Sequence, residues 1–216
     1  LSLPQGYGYP NRAVDIWGLV YMLMNHRNRA ATVHVQYRVR YAVAESLAAA
    51  GLMPRLDCQF HWRNEGHRDF DDWLDSFTAE KRKKIRRERR RVAEAGLHCR
   101  RLAGTELDAQ AVETVYRLHA LTFARYGNAP YLSADFFARI ARTMPESLVV
   151  ELAELGGEPV ACAVSLRGGA ALFGRYWGAA GDFHSLHFEL CYYRGIEYCL
   201  REGIERFEPG TQGEHK

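Results

Sequence analysis

The second half of the chain alternates between two hydrophobic patterns. Apolar residues at every second position are typical of half-buried strands, and apolar residues at every third or fourth position are typical of amphipathic helices. Glycine pairs at 156–157 and 168–169 separate successive alternating runs, as turns between antiparallel strands do. The pattern predicts, in order, a strand at 97–102, helices at 108–126 and 134–143, strands at 148–155, 158–166 and 170–177, a helix at 186–201 and a strand at 204–208. This order predicts an α/β (α+β) fold with a mixed sheet and flanking helices.

The pattern is less regular before residue 97. Residues 1–12 are rich in Gly, Pro and Tyr, which favours a loop. An apolar run predicts a helix and an alternating run predicts a strand. On this basis the expected elements are a helix at 14–25, a strand at 32–38, an alanine-rich helix at 43–50, a strand at 52–62 and a short acidic helix at 69–77.

A long helix with an unusual charge is expected at 78–95, with Thr78 as its N-cap and Gly96 ending it. Nine of the eleven residues from Lys81 to Arg91 are basic and one is acidic. Only Ile85 and Val92 interrupt the charge, one heptad apart, so a narrow stripe is expected to face the protein. We call this segment the basic helix.

The overall composition narrows the class of protein. The 216 residues are 47% hydrophobic, which predicts a packed core and excludes a disordered or fibrous chain. Five cysteines without a C-x-x-C pair indicate reduced thiols, and Cys162, Cys191 and Cys199 lie in apolar contexts that favour packing. These reduced thiols favour a cytoplasmic location. No apolar run approaches the roughly 18 residues that span a bilayer, so no integral membrane segment is expected.

The two ends of the sequence are unusual. The first residue is Leu1, no targeting signal follows it, and the last residues after Glu208 form a turn-rich run without a closing helix or strand. Both termini are therefore expected to be incomplete. The formal net charge is +3, yet outside residues 81–91 the chain has 20 basic and 25 acidic residues. The positive charge is concentrated in one helix, which predicts a specific site for polyanions.

Several local strings carry a resemblance to a known family. The chain resembles the FemAB-like bacterial peptidoglycan biosynthesis proteins of the GNAT acyltransferase superfamily over residues 51–216. The strings are Gln59-Phe-His-Trp62, the basic run from Lys81 to Arg91, Gly174-Arg-Tyr-Trp-Gly178, Leu186-His-Phe-Glu189 and Glu208-Pro-Gly-Thr-Gln-Gly-Glu-His-Lys216. The resemblance implies a partial GNAT-like region at 1–77, a basic connecting helix at 78–96 and a GNAT-like acyltransferase domain at 97–216.

The resemblance also implies a reaction. Relatives of this kind transfer an acyl or aminoacyl group to an amine acceptor, such as a cell-wall precursor. The donor would be a co-substrate, either aminoacyl-tRNA or acyl-CoA, and no tightly bound cofactor and no metal are expected. Two alternatives stay open: an acyl-CoA-dependent N-acetyltransferase, and a non-catalytic polyanion-binding protein that uses the basic helix.

The C-terminal string holds the candidate catalytic groups. By resemblance, Lys216 would bind the donor carbonyl and stabilise the oxyanion, a role suited to a fixed cation. Glu208, Glu214 and His215 are candidates to accept the proton of the amine, and the sequence does not rank them. Gln212 is a candidate binding group. The alternative for this string is a polar surface turn.

Donor binding is expected on two elements. Gly178 and Gly181 stand between a strand and the helix from residue 186, where backbone N–H groups can hold a pyrophosphate. The Q/R-x-x-G-x-G/A pattern of CoA-binding relatives is absent, which argues against CoA. Arg175 could hold a carboxylate or phosphate with two hydrogen bonds, and Tyr176 is expected beside it in the cleft.

Arg86, Arg87 and Arg90 of the basic helix are the candidate contacts to tRNA or another polyanion. No aromatic residue lies in the run, so stacking of single-stranded bases is not expected. The competing interpretation is a solvated helix with i, i+4 ion pairs such as Lys84 with Glu88.

His187 and Glu189 are further candidate binding residues at the start of the last helix. They flank one residue and would point about 200° apart, so they are not expected to act as one acid–base pair. His184 and His187 have a spacing that suits a metal, but a capping or core role is favoured because no third ligand stands in a recognised pattern.

Overall fold

The computed structural model describes residues 60–210 continuously, together with 21–23, 32–34, 49 and 51. The chain forms two compact units, residues 1–57 and 58–216. In the first unit, β1 (Tyr21–Leu23) pairs antiparallel with β2 (Thr32–His34). The strand expected at 32–38 is confirmed over 32–34. The helix expected at 14–25 is wrong at 21–23, because a short apolar run has no period that distinguishes a helix from a strand with a partner.

The second unit contains a six-stranded mixed sheet. Its strand order is β3-β8-β7-β6-β5-β4, and every neighbouring pair is antiparallel except the parallel pair β7–β8. The strands are β3 (Trp62–Arg63), β4 (Leu97–Ala103), β5 (Leu148–Leu155), β6 (Glu158–Gly168), β7 (Ala171–Ala179) and β8 (Arg206–Glu208). The strand expected at 52–62 is observed only at Trp62. Residues 60 and 61 are not in a strand, and 52–59 lie outside the described residues.

The helices of this unit follow the expected order. They are α1 (Phe70–Asp75), α2 (Ala79–Glu94), α3 (Ala109–Arg125), α4 (Ala134–Thr143), α5 (Leu186–Phe188) and α6 (Arg194–Glu202). The first four begin at polar side chains that accept a backbone N–H three residues later: Asp69, Thr78, Asp108 and Ser133. These caps satisfy N–H groups that a helix start leaves without a partner.

The last helix differs from the expectation at 186–201. A π-helical turn at Glu189–Tyr193 connects α5 to α6. The wider turn places His187 and Tyr192, five residues apart, with their ring centroids 5.6 Å from each other. Such turns often mark functional positions in helices, and hydrophobic periodicity alone did not reveal this one.

Helices cover the sheet on both faces. Helices α3 and α4 pack over one face through a cluster that includes Leu118, Phe137 and Val150. Helices α1, α2 and α6 pack over the other face around Ile196 and Phe207. Full burial of a side chain of this size stabilises the fold by roughly 1.5–3 kcal/mol, so the two apolar layers fix the positions of the polar groups at their edges.

The basic helix α2 is part of this packing. Ile85 and Val92 are both buried, which confirms the predicted stripe. The helix contacts β4, α5 and the π-helical turn, and it belongs to the same compact unit as the sheet. The expected division at residues 77 and 96 stays a prediction, whereas the compact units divide after residue 57.

Candidate active site

The strand β7 is irregular where it leaves its parallel neighbour. It pairs with β8 only over 171–173, and its remaining residues extend past the end of β8. On its other side, Ser165 of β6 faces Gly174 while Val164 faces Tyr176, which leaves Arg175 as the extra residue of a β-bulge. Bulges redirect side chains and are frequent beside active sites. The bulge therefore lies just past the last residue of β7 that pairs with β8.

The chain leaving β8 crosses this bulge closely. A Cβ added to Gly174 would lie 3.1 Å from backbone atoms of Pro209, so a larger residue would crowd this crossing. Gly210 follows with a φ of 110°, a conformation that favours glycine. The turn after β8 therefore begins beside the bulge. The candidates Gln212, Glu214, His215 and Lys216 lie beyond it, outside the described residues.

Glu208 is buried at the end of β8, with 3% of its surface exposed. Its Oε1 lies 3.1 Å from Arg206 Nε and its Oε2 lies 3.8 Å from His61 Nε2. Within residues 60–210 no hydrogen bond to Oε2 is present. A buried carboxylate oxygen without a hydrogen bond can bind a proton or a donor group. His61 was not singled out as a site residue, although it stands inside the string Gln59-Phe-His-Trp62.

The loop from 180 to 185 connects the end of β7 to the start of α5. Ser185 is the only described non-glycine residue with a positive φ, at 65°. Its Oγ lies 2.6 Å from His184 Nδ1, and no side chain within the described region caps the helix. The N–H of Leu186, the first helical residue, instead donates to the backbone carbonyl oxygen of Phe183 at 3.3 Å.

The two candidate glycines near this loop differ. Gly178 lies inside β7, which extends further than predicted, and it is buried. A Cβ at Gly178 would lie 2.1 Å from the carbonyl oxygen of Leu118, so its small size is required for the close packing of α3. Gly181 lies in the loop against the ring of Phe183. Donor binding by either glycine stays a prediction.

His187 lies among aromatic rings. Its ring centroid is 5.2 Å from that of Trp177, 5.9 Å from Phe188 and 5.6 Å from Tyr192. Burial raises the pKa of Tyr192, so its hydroxyl stays protonated at neutral pH. The surroundings of His187 differ from those of Glu189, in agreement with the expectation that the two do not form one acid–base pair.

Glu189 is instead bound to the basic helix. Its carboxylate oxygens accept hydrogen bonds from Arg89 Nε at 3.0 Å and Arg89 Nη2 at 2.9 Å. Arg89 also donates to Glu197 at 2.6 and 3.2 Å. Burial raises the pKa of Glu189, against the charge and hydrogen bonds of Arg89. Burial disfavours the charge of Arg89, but its bonds and ion pairs with Glu197 and Glu189 together raise its pKa.

Arg89 was not predicted as a functional or structural residue. It lies four residues after Ile85 and three before Val92, so helical spacing places it on the buried stripe. That spacing was a usable signal. Its acidic partners are 100 and 108 residues away along the chain, so no local pattern could identify them.

The predicted arginines of the basic helix face solvent. Arg86 Nη2 lies 3.4 Å from Asp71, and Arg90 Nε lies 3.4 Å from Glu94. Arg87 is exposed and has no ion-pair partner among residues 60–210. The expected pair of Lys84 with Glu88 is present at 3.9 Å. Arg91, at the other end of the helix, reaches the loop before α5, where its Nη1 lies 3.2 Å from His184 Nε2.

Arg175 and Tyr176 point to opposite environments. Arg175 is exposed, with its guanidinium 5.2 Å from the centroid of the Phe173 ring. Tyr176 packs under α3 and α4, with its ring 4.9 Å from that of His119. His119 is buried, its Nε2 has no hydrogen-bond partner within residues 60–210, and burial lowers its pKa. The sequence analysis did not identify His119.

Three of the described cysteines are unsuited to nucleophilic catalysis. Cys99, Cys162, Cys191 and Cys199 are all free thiols, as expected. Burial raises the pKa of Cys99 to about 11 and those of Cys162 and Cys199 to about 12. The thiolate, which is the reactive form, is therefore scarce at neutral pH.

Two surface cavities lie away from these residues. One of about 420 Å³ lies between the start of α3 and the end of α4, and one of about 370 Å³ lies beside Tyr198. No predicted site residue lines either cavity. Across the described parts of the chain, no helix is both long and apolar enough to cross a membrane.

The sequence places the protein in a family. The FemAB-like family, described by its role in peptidoglycan biosynthesis/recognition, matches residues 16–216, and the chain belongs to it. This confirms the resemblance noted in the sequence. No curated protein sequence matches the chain.

The fold is similar to that of the solved structure of FemX, and two further solved structures match parts of the chain. FemX is 14% identical in sequence to this chain, and the match has a TM-score of 0.53. It covers 81% of this chain and 62% of the FemX chain. The C-terminal domain of a putative lysylphosphatidylglycerol synthetase from Agrobacterium fabrum is 18% identical over 62% of this chain, with a TM-score of 0.46. The present chain spans 43% of that second protein. An aminoglycoside acetyltransferase from an uncultured soil sample covers 54% of this chain at 12% identity, with a TM-score of 0.40.

Proposed function

We propose that the protein transfers an acyl or aminoacyl group from a donor to an amine acceptor, such as a cell-wall precursor. The family and the fold support a transferase of this kind. The observation that carries the proposal is the meeting of three features at the end of the β7–β8 pairing: the bulge at Arg175, the buried Glu208 and the turn at Pro209.

The proposed reaction is direct transfer. The amine nitrogen attacks the donor carbonyl carbon, the new N–C bond forms, and the bond from that carbon to the donor oxygen or sulfur breaks. The departing oxygen or sulfur takes up a proton, and the attacking nitrogen loses one. Holding both reactants in one cleft supplies a large part of the acceleration, because it removes the entropy cost of their encounter.

Two residues have assigned roles in this proposal. Glu208 accepts the proton of the amine, since its Oε2 is buried and has only His61 as a loose partner. Lys216 stabilises the oxyanion. It follows Gly210 by six positions, and an extended segment of that length reaches at most about 20 Å from the turn. Glu214 and His215 are alternative proton acceptors on the same segment.

The donor is proposed to be aminoacyl-tRNA, with acyl-CoA as the alternative. The missing pattern of CoA-binding relatives argues against acyl-CoA. The small size of Gly178 also has a packing explanation that needs no pyrophosphate. Either donor would be a co-substrate that leaves after each turnover.

Transfer of a radiolabelled group tests this proposal. The protein is incubated with charged tRNA or acetyl-CoA and a panel of amine acceptors, and Lys216→Ala is compared with Lys216→Arg. We expect Lys216→Ala to lower turnover strongly, with donor binding largely intact and partial activity in Lys216→Arg. Normal turnover in Lys216→Ala would remove Lys216 from the mechanism.

A second candidate function is polyanion binding without catalysis, which the exposed arginines of the basic helix favour. Reversing the charges of Arg86, Arg87, Arg90 and Arg91 would then abolish function, while Lys216→Ala would have little effect. Equally small effects of both changes would contradict both candidate functions.

A further inference from the structure

A surface cavity of about 370 Å³ lies beside Tyr198, and no residue with a role in the proposed transfer lines it. Its walls are formed by β4, the start of β5, α6 and two 3₁₀-helical turns, at Gly104–Glu106 and Pro145–Ser147. Ligand sites typically measure about 300–1,000 Å³, so this volume suits a small molecule. We call it the Tyr198 cavity.

One wall of the Tyr198 cavity is fixed by a buried ion-pair cluster. The guanidinium of Arg101 lies 4.7 Å from the centroid of the Tyr198 ring. Its Nε donates to the buried carboxylate of Glu151, which also accepts a hydrogen bond from Arg194 Nε. Arg167 Nη1 donates to the hydroxyl oxygen of Tyr198 at 3.3 Å. Side chains held in this way are pre-organised, which lowers the entropy cost of binding a ligand.

The same wall carries more positive than negative charge. Arg201 lies 5.6 Å from the centroid of the Tyr198 ring and pairs with Glu202 at 3.1 Å. Arg167 contacts the same carboxylate of Glu202 at 3.2 Å. Glu151 is likewise shared by two arginines. Four arginines therefore share two carboxylates, which leaves a net charge of +2 on this wall.

The two 3₁₀-helical turns form an acidic wall. Glu106 ends the first turn and Glu146 lies in the second, and both side chains are exposed. Glu106 Oε2 accepts a hydrogen bond from the backbone N–H of Ala103 at 2.7 Å, and Glu146 has no ion-pair partner within residues 60–210. In that part of the chain no ion pair joins the acidic wall to the arginines. The cavity therefore has a basic wall and an acidic wall that do not neutralise each other.

We propose that the Tyr198 cavity binds a small zwitterion, an amino acid or a short peptide, with its carboxylate at Arg201 and its ammonium at Glu146. Hydrogen bonds between charged partners are stronger than those between neutral groups. A simple anion would meet the carboxylates of Glu106 and Glu146, and a simple cation would meet the arginines, so half of the lining disfavours either one. A ligand with both charges makes an attractive contact with each wall. The inference does not depend on the proposed transfer.

Isothermal titration calorimetry of the full chain with L-alanyl-L-alanine tests the inference. The small side chains of this dipeptide demand no pocket of their own. Two related peptides each lack one charge: N-acetyl-L-alanyl-L-alanine has no ammonium, and L-alanyl-L-alaninamide has no carboxylate. We expect saturable binding of the dipeptide, and we expect loss of either charge to weaken binding by about 10- to 100-fold, since a hydrogen bond to a charged group contributes roughly this factor.

Matched variants assign the two contacts. Glu146→Gln should weaken binding of the dipeptide by about 10-fold or more and remove the difference between the dipeptide and its acetylated form, because the ammonium then has no charged partner. Arg201→Gln should likewise remove the difference between the dipeptide and its amide. The controls Glu113→Gln and Arg139→Gln change exposed charges that line neither of the two cavities, and they should bind as the wild type does. Circular dichroism establishes that each variant is folded.

Several outcomes would overturn the inference. They are no saturable binding of the dipeptide at millimolar concentration, equal affinity of the three peptides, and losses in Glu146→Gln and Arg201→Gln no larger than those in the controls. Binding that Glu208→Gln abolishes and Arg201→Gln leaves intact would place the dipeptide at the proposed catalytic carboxylate, and it would also overturn the inference. Dipeptide binding at the Tyr198 cavity without any acyl transfer would overturn the proposed function and leave this inference standing.

Discussion

Glu189 and Glu208 are both buried carboxylates that the sequence identified as site candidates, and their surroundings differ. Both oxygens of Glu189 accept short hydrogen bonds from Arg89. Glu208 has an ion contact to Arg206 at 3.1 Å and one to His61 at 3.8 Å. A carboxylate whose acceptor sites are filled is fixed in a structural pair, whereas one with an unfilled oxygen can take part in proton transfer. Burial alone therefore does not distinguish a structural acid from a reactive one.

The comparison is tested most strongly by removing the reactive carboxylate. Glu208→Gln removes the proton acceptor, and loss of a general base typically lowers the rate by about 100-fold to 10,000-fold. We expect kcat to fall in this range. Initial rates of acyl transfer measure it, with the exposed neighbour Glu205→Gln as the matched control. Wild-type turnover in Glu208→Gln would place Glu208 with Glu189 as a structural acid.

Removing the structural partner should affect stability. Arg89→Ala leaves Glu189 buried without its bonds, and breaking a buried ion pair in this way costs about 3–5 kcal/mol. Urea unfolding followed by circular dichroism gives the free energy of unfolding, and Arg87→Ala on the exposed face of the same helix is the control. A loss below about 1 kcal/mol in Arg89→Ala would show that the pair does not stabilise α2. Arg89→Lys should be intermediate, because an ammonium cannot make the two parallel bonds.

The effect of Arg89→Ala should also depend on pH. The raised pKa of Glu189 means that the folded protein binds this proton more tightly than the unfolded chain does. The stabilisation that this tighter proton binding contributes is therefore complete below the ordinary pKa of glutamate. It is lost as the pH rises through the raised pKa of Glu189 in the folded protein. Without Arg89 the pKa rises further, since burial then acts unopposed.

We therefore expect Arg89→Ala to be less destabilising at pH 5, where more of Glu189 is neutral, than at pH 8. Urea unfolding of both proteins at the two pH values measures the difference. A larger destabilisation at pH 5 than at pH 8 would contradict the assignment of Glu189 as the buried charge that Arg89 neutralises.

The sequence predicted most of the fold because the spacing of apolar residues along each helix or strand reflects which face of that element is buried in the core. The sheet from 97 to 208, the helices over it and the inward stripe of Ile85 and Val92 agree with the pattern. What the pattern could not provide is the pairing of distant charges, such as Arg89 with Glu189, or a bulge such as that at Arg175. Both arise from contacts between elements, and periodicity carries information only within an element.

The smallest expected effect is that of replacing His61, the neighbour of Glu208. His61 Nε2 lies 3.8 Å from Glu208 Oε2, and we infer that His61 positions this carboxylate in the proposed mechanism. His61→Asn keeps a polar group there but removes the imidazole, so we expect kcat to fall by about 10-fold, less than in Glu208→Gln. Because the residue would act through Glu208, the double variant should be no slower than Glu208→Gln alone. Fully multiplicative losses in the double variant would show that His61 and Glu208 act independently, and the loose contact between them would then have no part in the reaction.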